Sequence, residues 1–364
     1  MPPPATLPLT APPTAPPTAP PAALPAGART MGSGTGWLAR TRRRTVSALH
    51  RFVARHYLKK PELAELLDIK LPDLGSIGHA ALNELAYRLR LDRTARVLSL
   101  NVETTNHCNL RCTICPVNRG MARAKRFLDP AVFMRLIDRS PTVKFVLPFQ
   151  WGEPLLHPEI DRMIRHARDR GVRSMLTTNG TLLDEAMARR LFASGLDRLT
   201  ISVDGDDTTH EAIRGVPLAG VRERVRALRT LRDRLGAALR IDVSMVLDAA
   251  TKPAIDHYRA EWSALADRVQ VIPRLAARPR TQACREPWRG SLVVLVDGTV
   301  TACCADSEGT LALGNGHTTA PGELLNAAAF RALRRAHRCG ELPAVCAGCG
   351  EFDGRDVGVN ARFS

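Results

Sequence analysis

The sequence predicts an α/β protein with a mainly parallel sheet. Between residues 97 and 272, six short apolar runs alternate with longer stretches of helical pattern. Such alternation indicates repeated strand–helix–strand units, which form either a doubly wound sheet or a partial barrel. In both folds the functional residues lie in loops after the carboxyl ends of the strands. The predicted strands are 97–103, 143–149, 172–178, 198–203, 239–247 and 268–272, and the helices between them include 130–139, 158–170, 183–194 and 220–235.

The first 96 residues differ in composition from the rest of the chain. Residues 1–27 contain eleven of the 26 prolines in a near-repeat of Pro, Thr and Ala. This composition cannot bury a core and predicts a disordered arm over 1–35. Residues 36–96 are predicted to form a helical extension, with a basic amphipathic helix over 37–58 and further helix over 61–92. We favour a helix docked on the body, with its charges in solvent, over one that contacts anionic lipid or nucleic acid.

Length and composition exclude several classes of protein. The chain has 364 residues, 45% hydrophobic and 24% charged, which is enough for a sizeable core. It has no apolar run of about 18 residues and no basic region followed by an apolar one, so we expect neither a transmembrane segment nor a secretory signal. The net charge of +16 is concentrated in residues 1–60, which hold nine basic residues and no acidic one. The body is only mildly basic, and no nucleic-acid partner is expected.

The nine cysteines indicate metal binding. An odd number of cysteines in a long chain without an export signal argues against a disulfide framework and for a reducing, cytoplasmic location. The cysteines also fall into two groups, one within residues 108–115 and the other within 284–349.

The first group is a C-x3-C-x2-C pattern directly after the first predicted strand. It consists of Cys108, Cys112 and Cys115. A structural zinc site needs four protein ligands, so three thiolates suit zinc poorly. They do suit a 4Fe–4S cluster in which one iron has no protein ligand. That iron remains open to a small molecule.

This motif, its place after the first strand and the six strand–helix units resemble the radical S-adenosylmethionine (radical SAM) family. The resemblance implies a partial (βα)6 TIM-like barrel over residues 97–275. It also implies that the open iron binds SAM, whose reductive cleavage yields a 5′-deoxyadenosyl radical that abstracts hydrogen from a substrate.

Further segments at the ends of the predicted strands resemble the SAM-binding segments of this family. Gly152, Glu153 and Pro154 follow the second strand, where the resemblance implies contact with the SAM ammonium. Trp151 replaces the glycine that usually begins this segment. By the same resemblance, the ribose and methionine groups are held by Thr178, Asn179, Ser202, Asp204 and Arg214.

The second cysteine group resembles the SPASM/twitch extension of radical SAM enzymes. The resemblance implies a small Cys-rich α+β domain over 276–364 and one auxiliary 4Fe–4S cluster, suited to electron transfer because four thiolates leave no open iron. Structural zinc is the alternative. The chain ends fifteen residues after its last cysteine, which favours the shorter twitch form. The expected ligands are Cys284, Cys303, Cys346 and Cys349, with Cys304 and Cys339 as spare or buried thiols.

The resemblance predicts a radical SAM oxidoreductase of a biosynthetic pathway. The favoured reaction is oxidation of a secondary alcohol in a sugar or aminocyclitol. The alternatives are a SPASM-type maturase of a ribosomal peptide, a radical epimerase and, more remotely, a non-enzymatic metal-binding nucleic-acid protein. Expected partners are a small-molecule substrate, or else a peptide, and a reductant such as flavodoxin or ferredoxin. The sequence assigns no catalytic base or hydrogen donor.

Overall fold

The computed structural model describes residues 45–52, 67–68, 70–274, 280 and 283–349. The arm predicted to be disordered over 1–35 lies outside these residues. The basic helix predicted over 37–58 is described only at 45–52, and these residues are helical.

One eight-stranded sheet organises the described chain, in the order β6-β5-β4-β3-β2-β1-β7-β8. All neighbouring strands are parallel except β7 and β8. The first six strands are adjacent in chain order, as in a barrel, whereas a doubly wound sheet reverses its order at a switch point. The predicted α/β fold and partial barrel are thus confirmed. The strands are β1 (Ser99–Val102), β2 (Phe145–Leu147), β3 (Arg173–Thr178), β4 (Arg198–Ser202), β5 (Arg240–Leu247), β6 (Arg268–Pro273), β7 (Ser291–Val294) and β8 (Val300–Thr301).

The helices include those predicted between the strands, with ends that differ by a few residues. The short helices α5 and α7, which follow the fourth and fifth strands, are not among the helices named from the sequence. Among the described residues, no helix is both long and apolar enough to cross a membrane. The helices are α1 (Leu74–Arg88), α2 (Pro130–Asp138), α3 (Ile160–Asp169), α4 (Glu185–Ser194), α5 (Asp207–Arg214), α6 (Leu218–Leu235), α7 (Ile255–Ser263), α8 (Pro321–Leu324), α9 (Ala328–Cys339) and α10 (Ala344–Ala347).

Helix α4 shows how local sequence sets the boundaries of these helices. The Asp184 carboxylate accepts a hydrogen bond from the backbone N–H of Met187 at 2.7 Å, which satisfies a donor that the first turn leaves unpaired. Gly195 ends the helix in the left-handed region, at φ 79°. The buried residues Ala188 and Leu191 lie on the face that packs into the core.

The two faces of the sheet differ in chemistry because side chains alternate along each strand. One face is apolar and belongs to the main core with the helices, as at Leu199, Ile241 and Val243. On the other face, the buried Asp242 carboxylate pairs with Arg198 and accepts a hydrogen bond from Gln270 Nε2 at 2.9 Å. The inner face of the partial barrel is therefore partly polar.

The hairpin formed by β7 and β8 joins the main sheet. Its first strand pairs parallel with β1, with Ser291 opposite Ser99, and the two hydroxyl oxygens lie 3.0 Å apart. The sheet thus continues across the domain boundary that we expected at 275/276. No local sequence pattern predicts parallel pairing between strands so far apart in sequence.

Candidate functional site

The loops after β1, β2 and β3 are joined by a network of hydrogen bonds centred on Glu153. Its backbone N–H donates to the His107 carbonyl at 2.8 Å, directly before Cys108. Its Oε1 accepts from the Thr178 hydroxyl at 2.8 Å and from the Leu155 N–H at 3.1 Å. Its Oε2 accepts from the Asn179 N–H at 2.8 Å. The structure thus brings together residues that the sequence analysis placed at three separate strand ends.

Asn109 strengthens the same junction and was missed by the sequence analysis. Asn179 Nδ2 donates to Asn109 Oδ1 at 2.9 Å, and Asn109 Nδ2 donates to the Thr181 hydroxyl at 2.8 Å. The sequence signal for Asn109 is its position directly after Cys108.

Gly152 allows the loop after β2 to approach the loop after β1. Its φ is +103°, and an added Cβ would lie 2.6 Å from the Thr105 carbonyl oxygen and 2.7 Å from that of His107. Only glycine fits such an approach without a shift of the backbone. Trp151 replaces the first glycine of the family pattern, but the close approach of the two loops occurs at Gly152, which is retained.

Burial strongly affects the carboxyl group of Glu153. Removal from water raises the pKa of Glu153 to about 6, against the opposing effect of its hydrogen bonds from Asn179, Thr178 and Leu155. All the donors that contact its oxygens in the described residues are neutral. A buried carboxylate held in this way is a suitable acceptor for a charged or strongly polar N–H group of a ligand.

The loop after β4 holds a buried ion pair between Asp204 and Arg214. Arg214 Nε and Nη2 lie 2.9 and 2.7 Å from Asp204 Oδ2. Asp204 Oδ1 also accepts the Val246 N–H at 2.9 Å, which fixes the carboxylate against β5. Arg214 Nη1 is not part of this pair. Ser202, the last residue of β4, is half-buried.

The three cysteines of the first group lie in the loop that packs beside this ion pair. The Thr113 N–H donates to the Ile213 carbonyl at 2.8 Å, which ties the loop to α5. Burial raises the pKa of Cys112 to about 11; Arg214 opposes the shift, while the charges of Cys115 and Cys108 add to it. The thiols are thus near enough to repel one another as thiolates, a repulsion that bound metal relieves.

The donor set of this loop fits the cluster implied by the resemblance. Cys108 and Cys112 line a surface pocket with the basic side chains of Arg111, Arg119 and Lys125. Iron–sulfur clusters are held by Cys thiolates, and nearby basic side chains favour the thiolate form. Among the described residues, no three His, Cys, Asp or Glu side chains converge around a single metal ion.

The second cysteine group lines one cavity. Cys284 precedes the turn before β7, Cys303 follows β8, and Cys346 and Cys349 lie at the end of the described chain. Burial raises the pKa of Cys284 to about 12 and that of Cys346 to about 11. Among the described residues, the donors to these sulfurs include the Ala305 N–H, 3.3 Å from Cys303 Sγ, and Arg280 Nη2, 3.8 Å from Cys349 Sγ.

The two remaining cysteines lie outside the lining of this cavity. Cys304 is half-buried, and its carbonyl accepts a hydrogen bond from Gln150 Nε2 at 3.1 Å. Cys339 is exposed at the end of α9, so it is not a buried thiol.

A buried ion pair connects the two cysteine regions and was not found by the sequence analysis. Arg123 Nη1 and Nη2 donate to the Glu103 carboxylate at 2.7 and 2.8 Å. Arg123 Nε donates to the Ser307 carbonyl at 2.7 Å, and the Val296 N–H donates to Glu103 Oε2 at 2.9 Å. The end of β1, which leads to Cys108, is thereby held against the hairpin that carries Cys303. No sequence pattern marks a pair of this kind.

Comparison with protein families gives two matches, in the order that the sequence predicts. Residues 102–251 match the radical SAM superfamily. Residues 284–350 match the SPASM family, described as an iron–sulfur cluster-binding domain.

Curated relatives match over part of their length. An AdoMet-dependent heme synthase of Nitratidesulfovibrio vulgaris is 34% identical over 148 residues, 40% of this chain and 40% of that protein. A PqqA peptide cyclase of Xanthomonas axonopodis pv. citri is 28% identical over 212 residues, 56% of this chain and 55% of that protein. The chain thus spans about half, or less, of the length of these relatives.

Solved structures share the fold. SuiB of Streptococcus suis, bound to the precursor peptide SuiA, superposes with a TM-score of 0.53 at 13% identity, covering 74% of this chain and 72% of SuiB. The AdoMet-bound anSMEcpe superposes with a TM-score of 0.52 at 17% identity, covering 69% of this chain and 88% of that one.

Proposed function

We propose that this chain, which belongs to the radical SAM superfamily and carries a C-terminal SPASM domain, is an oxidoreductase that modifies a peptide. A SAM-binding 4Fe–4S cluster and an auxiliary iron–sulfur centre are its cofactors. When bound, they supply the reductive cleavage of SAM that starts hydrogen abstraction and a place for the electron left on the substrate. The observation that carries the enzyme class is the convergence of Cys108, Glu153 and Asn179 at one edge of the sheet.

In this proposal, Cys108, Cys112 and Cys115 hold the first cluster, and the strand-end loops hold SAM beside it. Glu153 accepts the N–H groups of the SAM amino group, because its buried oxygens point into the junction of three loops. Arg214 contacts the carboxylate of SAM through Nη1, which is not part of its ion pair with Asp204. This assignment is supported by the burial of both side chains.

The remaining residues of the site orient these groups. Gly152 provides room for the close approach of the two loops, and Pro154 begins the short helical turn that follows Glu153. Thr178 and Asn179 fix the Glu153 carboxylate by hydrogen bonds. We assign Ser202, at the end of β4, to contact with the ribose or methionine group.

We assign Cys284, Cys303, Cys346 and Cys349 to one auxiliary 4Fe–4S cluster. The support is that these four line a single cavity, whereas Cys304 and Cys339 lie outside its lining. Four thiolate ligands leave no open iron, which suits electron transfer. Zinc in this cavity is the alternative that an iron count distinguishes.

A peptide is the proposed substrate because the PqqA peptide cyclase match extends over 56% of the chain. The sequence favours a sugar or aminocyclitol, with a peptide as the alternative. The peptide cyclase supports that alternative, and the heme synthase is named for neither class of substrate. A net oxidation of a peptide removes two hydrogens, one as an atom and one as a proton, and leaves one electron for the auxiliary centre.

The test uses the anaerobically reconstituted full chain with SAM, dithionite and a peptide encoded beside its gene, synthesised with deuterium on carbon. We expect one deuterium in the 5′-deoxyadenosine and a product that has lost two hydrogens. The matched control replaces Cys108, Cys112 and Cys115 by Ala and forms neither. Parallel incubations contain an iron porphyrin or a polyol in place of the peptide. Oxidation of either, with the peptide unchanged, would contradict the proposed substrate class.

A further inference from the structure

His337 lines the cavity of the second cysteine group. It lies in the last turn of α9, only 3% of its surface is exposed, and it shares the cavity with Cys284 and the other three cysteines. Its ring packs edge-on against Trp288, with centroids 6.3 Å apart and an angle of 75° between the planes. Burial and this contact restrict the orientation of the ring at the wall of the cavity.

Hydrogen bonding fixes which ring nitrogen of His337 carries the proton. The backbone N–H of Cys284 donates to Nδ1 at 3.2 Å, so Nδ1 presents its lone pair. In a neutral imidazole the proton then lies on Nε2. Nε2 is buried and has no hydrogen-bond partner within the described chain. A buried donor without an acceptor is costly, and such an atom calls for a partner.

The hydrogen bond at Nδ1 also makes His337 unsuited to be a metal ligand itself. A ligating histidine normally donates its other ring N–H to an oxygen acceptor, whereas Nδ1 of His337 accepts a hydrogen bond from a backbone N–H. The ring is thus arranged as a donor towards the contents of the cavity.

We propose that His337 donates an Nε2–H hydrogen bond to a sulfur of the auxiliary cluster and raises the reduction potential of that cluster. The inference rests on the assignment of the four cysteines made above. Hydrogen bonds to cluster sulfurs stabilise the more negative, reduced state, and they are one of the means by which proteins set cluster potentials. His337 acts on the potential of this cluster and is not among the residues proposed above to hold SAM.

Arg280 also lines the cavity and adds a second donor towards the cysteines. Its Nη2 lies 3.8 Å from Cys349 Sγ, and its backbone N–H donates to the Ala347 carbonyl at 2.9 Å. With a charged donor and a neutral donor facing the cysteines, the auxiliary cluster becomes a better electron acceptor. This property suits a centre that takes an electron from an oxidised substrate.

The test is a redox titration of the reconstituted full-length protein, followed by electron paramagnetic resonance with SAM present. In His337→Phe, which keeps the aromatic contact with Trp288, we expect the ratio of oxidised to reduced auxiliary cluster at a fixed potential to rise about tenfold. For a one-electron couple this is a decrease of about 59 mV. His337→Gln keeps an N–H donor and should shift the ratio less. Cys339→Ser, on the same helix but exposed, should leave the ratio unchanged.

A measurement on the unsubstituted protein guards against a folding defect in these variants. With 15N-labelled histidine, pulsed resonance of the reduced auxiliary cluster should show one weak nitrogen coupling, as expected for a hydrogen bond. A strong coupling would identify a ligand, and no coupling would exclude contact; either result overturns the inference. If His337→Phe has its full iron content and the potential of its auxiliary cluster is unchanged, the inference about His337 is overturned and the cysteine assignment stands. Zinc in place of iron at the second site also overturns the assignment of the four cysteines to a 4Fe–4S cluster.

Discussion

The backbone N–H of Asn179 donates to Glu153 Oε2 at 2.8 Å, and this bond joins the loop after β3 to the loop after β2. The Glu153 N–H in turn donates to the carbonyl of His107, next to Cys108. Through these two bonds the carboxylate proposed to hold SAM is placed in fixed relation to the loop proposed to hold the cluster.

Glu153→Gln is expected to weaken SAM binding. The amide places an NH2 group opposite either the Asn179 N–H or the donors at Oε1, and it removes the charge that strengthens acceptance from the SAM amino group. A hydrogen bond to a charged group contributes about 1.5–3 kcal/mol, so the Kd for SAM should rise at least about tenfold. Calorimetry on reconstituted protein measures the Kd. An unchanged Kd would contradict the role of Glu153.

SAM binding is also expected to depend on pH through the same carboxyl group. Burial raises the pKa of Glu153 to about 6, so the carboxyl becomes protonated below this value and accepts hydrogen bonds less strongly. The Kd for SAM should therefore rise as the pH falls through this range. Glu153→Gln lacks the titrating group and should not show this step, which a series of Kd measurements on both proteins determines.

Gly152→Ala is expected to destabilise the fold and the first cluster loop. The new Cβ would lie 2.6–2.9 Å from backbone atoms of residues 105–107, and φ is +103°. We expect a loss of at least about 2 kcal/mol in the free energy of unfolding. Gly171→Ala is the matched control, since it also has a positive φ but open space around it. It should cost only about 1 kcal/mol. Equal losses in denaturant unfolding would contradict the close-approach argument.

Arg123→Met is expected to be strongly destabilising because it leaves Glu103 buried without its cation. Removal of one partner of a buried pair costs about 3–5 kcal/mol. Arg162→Ala is the control: its pair with Glu159 is exposed and should contribute no more than about 1 kcal/mol. The double variant Arg123→Met with Glu103→Gln should recover part of the loss. Unfolding free energies of the wild type and the three variants test this prediction.

Local patterns explain how much of the fold the sequence predicts. The apolar runs place all six barrel strands within a few residues, and Asp184 and Gly195 mark the ends of α4 by capping chemistry. The loops that follow β1 to β4 are then predictable as the position of the site, since parallel strands end at one edge.

Contacts between distant segments explain what the sequence does not predict. The pairing of β1 with β7 joins residues such as Ser99 and Ser291, and nothing in either segment specifies the partner. Arg123 reaches Glu103 and Ser307 for the same reason. His337 is a single histidine in an amphipathic helix, so its place in the cysteine-lined cavity follows from tertiary packing alone.

The most direct test of the account is SAM cleavage by the variant in which Cys108, Cys112 and Cys115 are all replaced by Ala. Reconstituted wild-type protein should contain about eight iron atoms per chain and form 5′-deoxyadenosine when reduced, while the variant should retain about four and form none. Cys339→Ser should match the wild type in both respects. Formation of 5′-deoxyadenosine by the triple variant at the wild-type rate would contradict the assignment of this loop as the site of SAM cleavage.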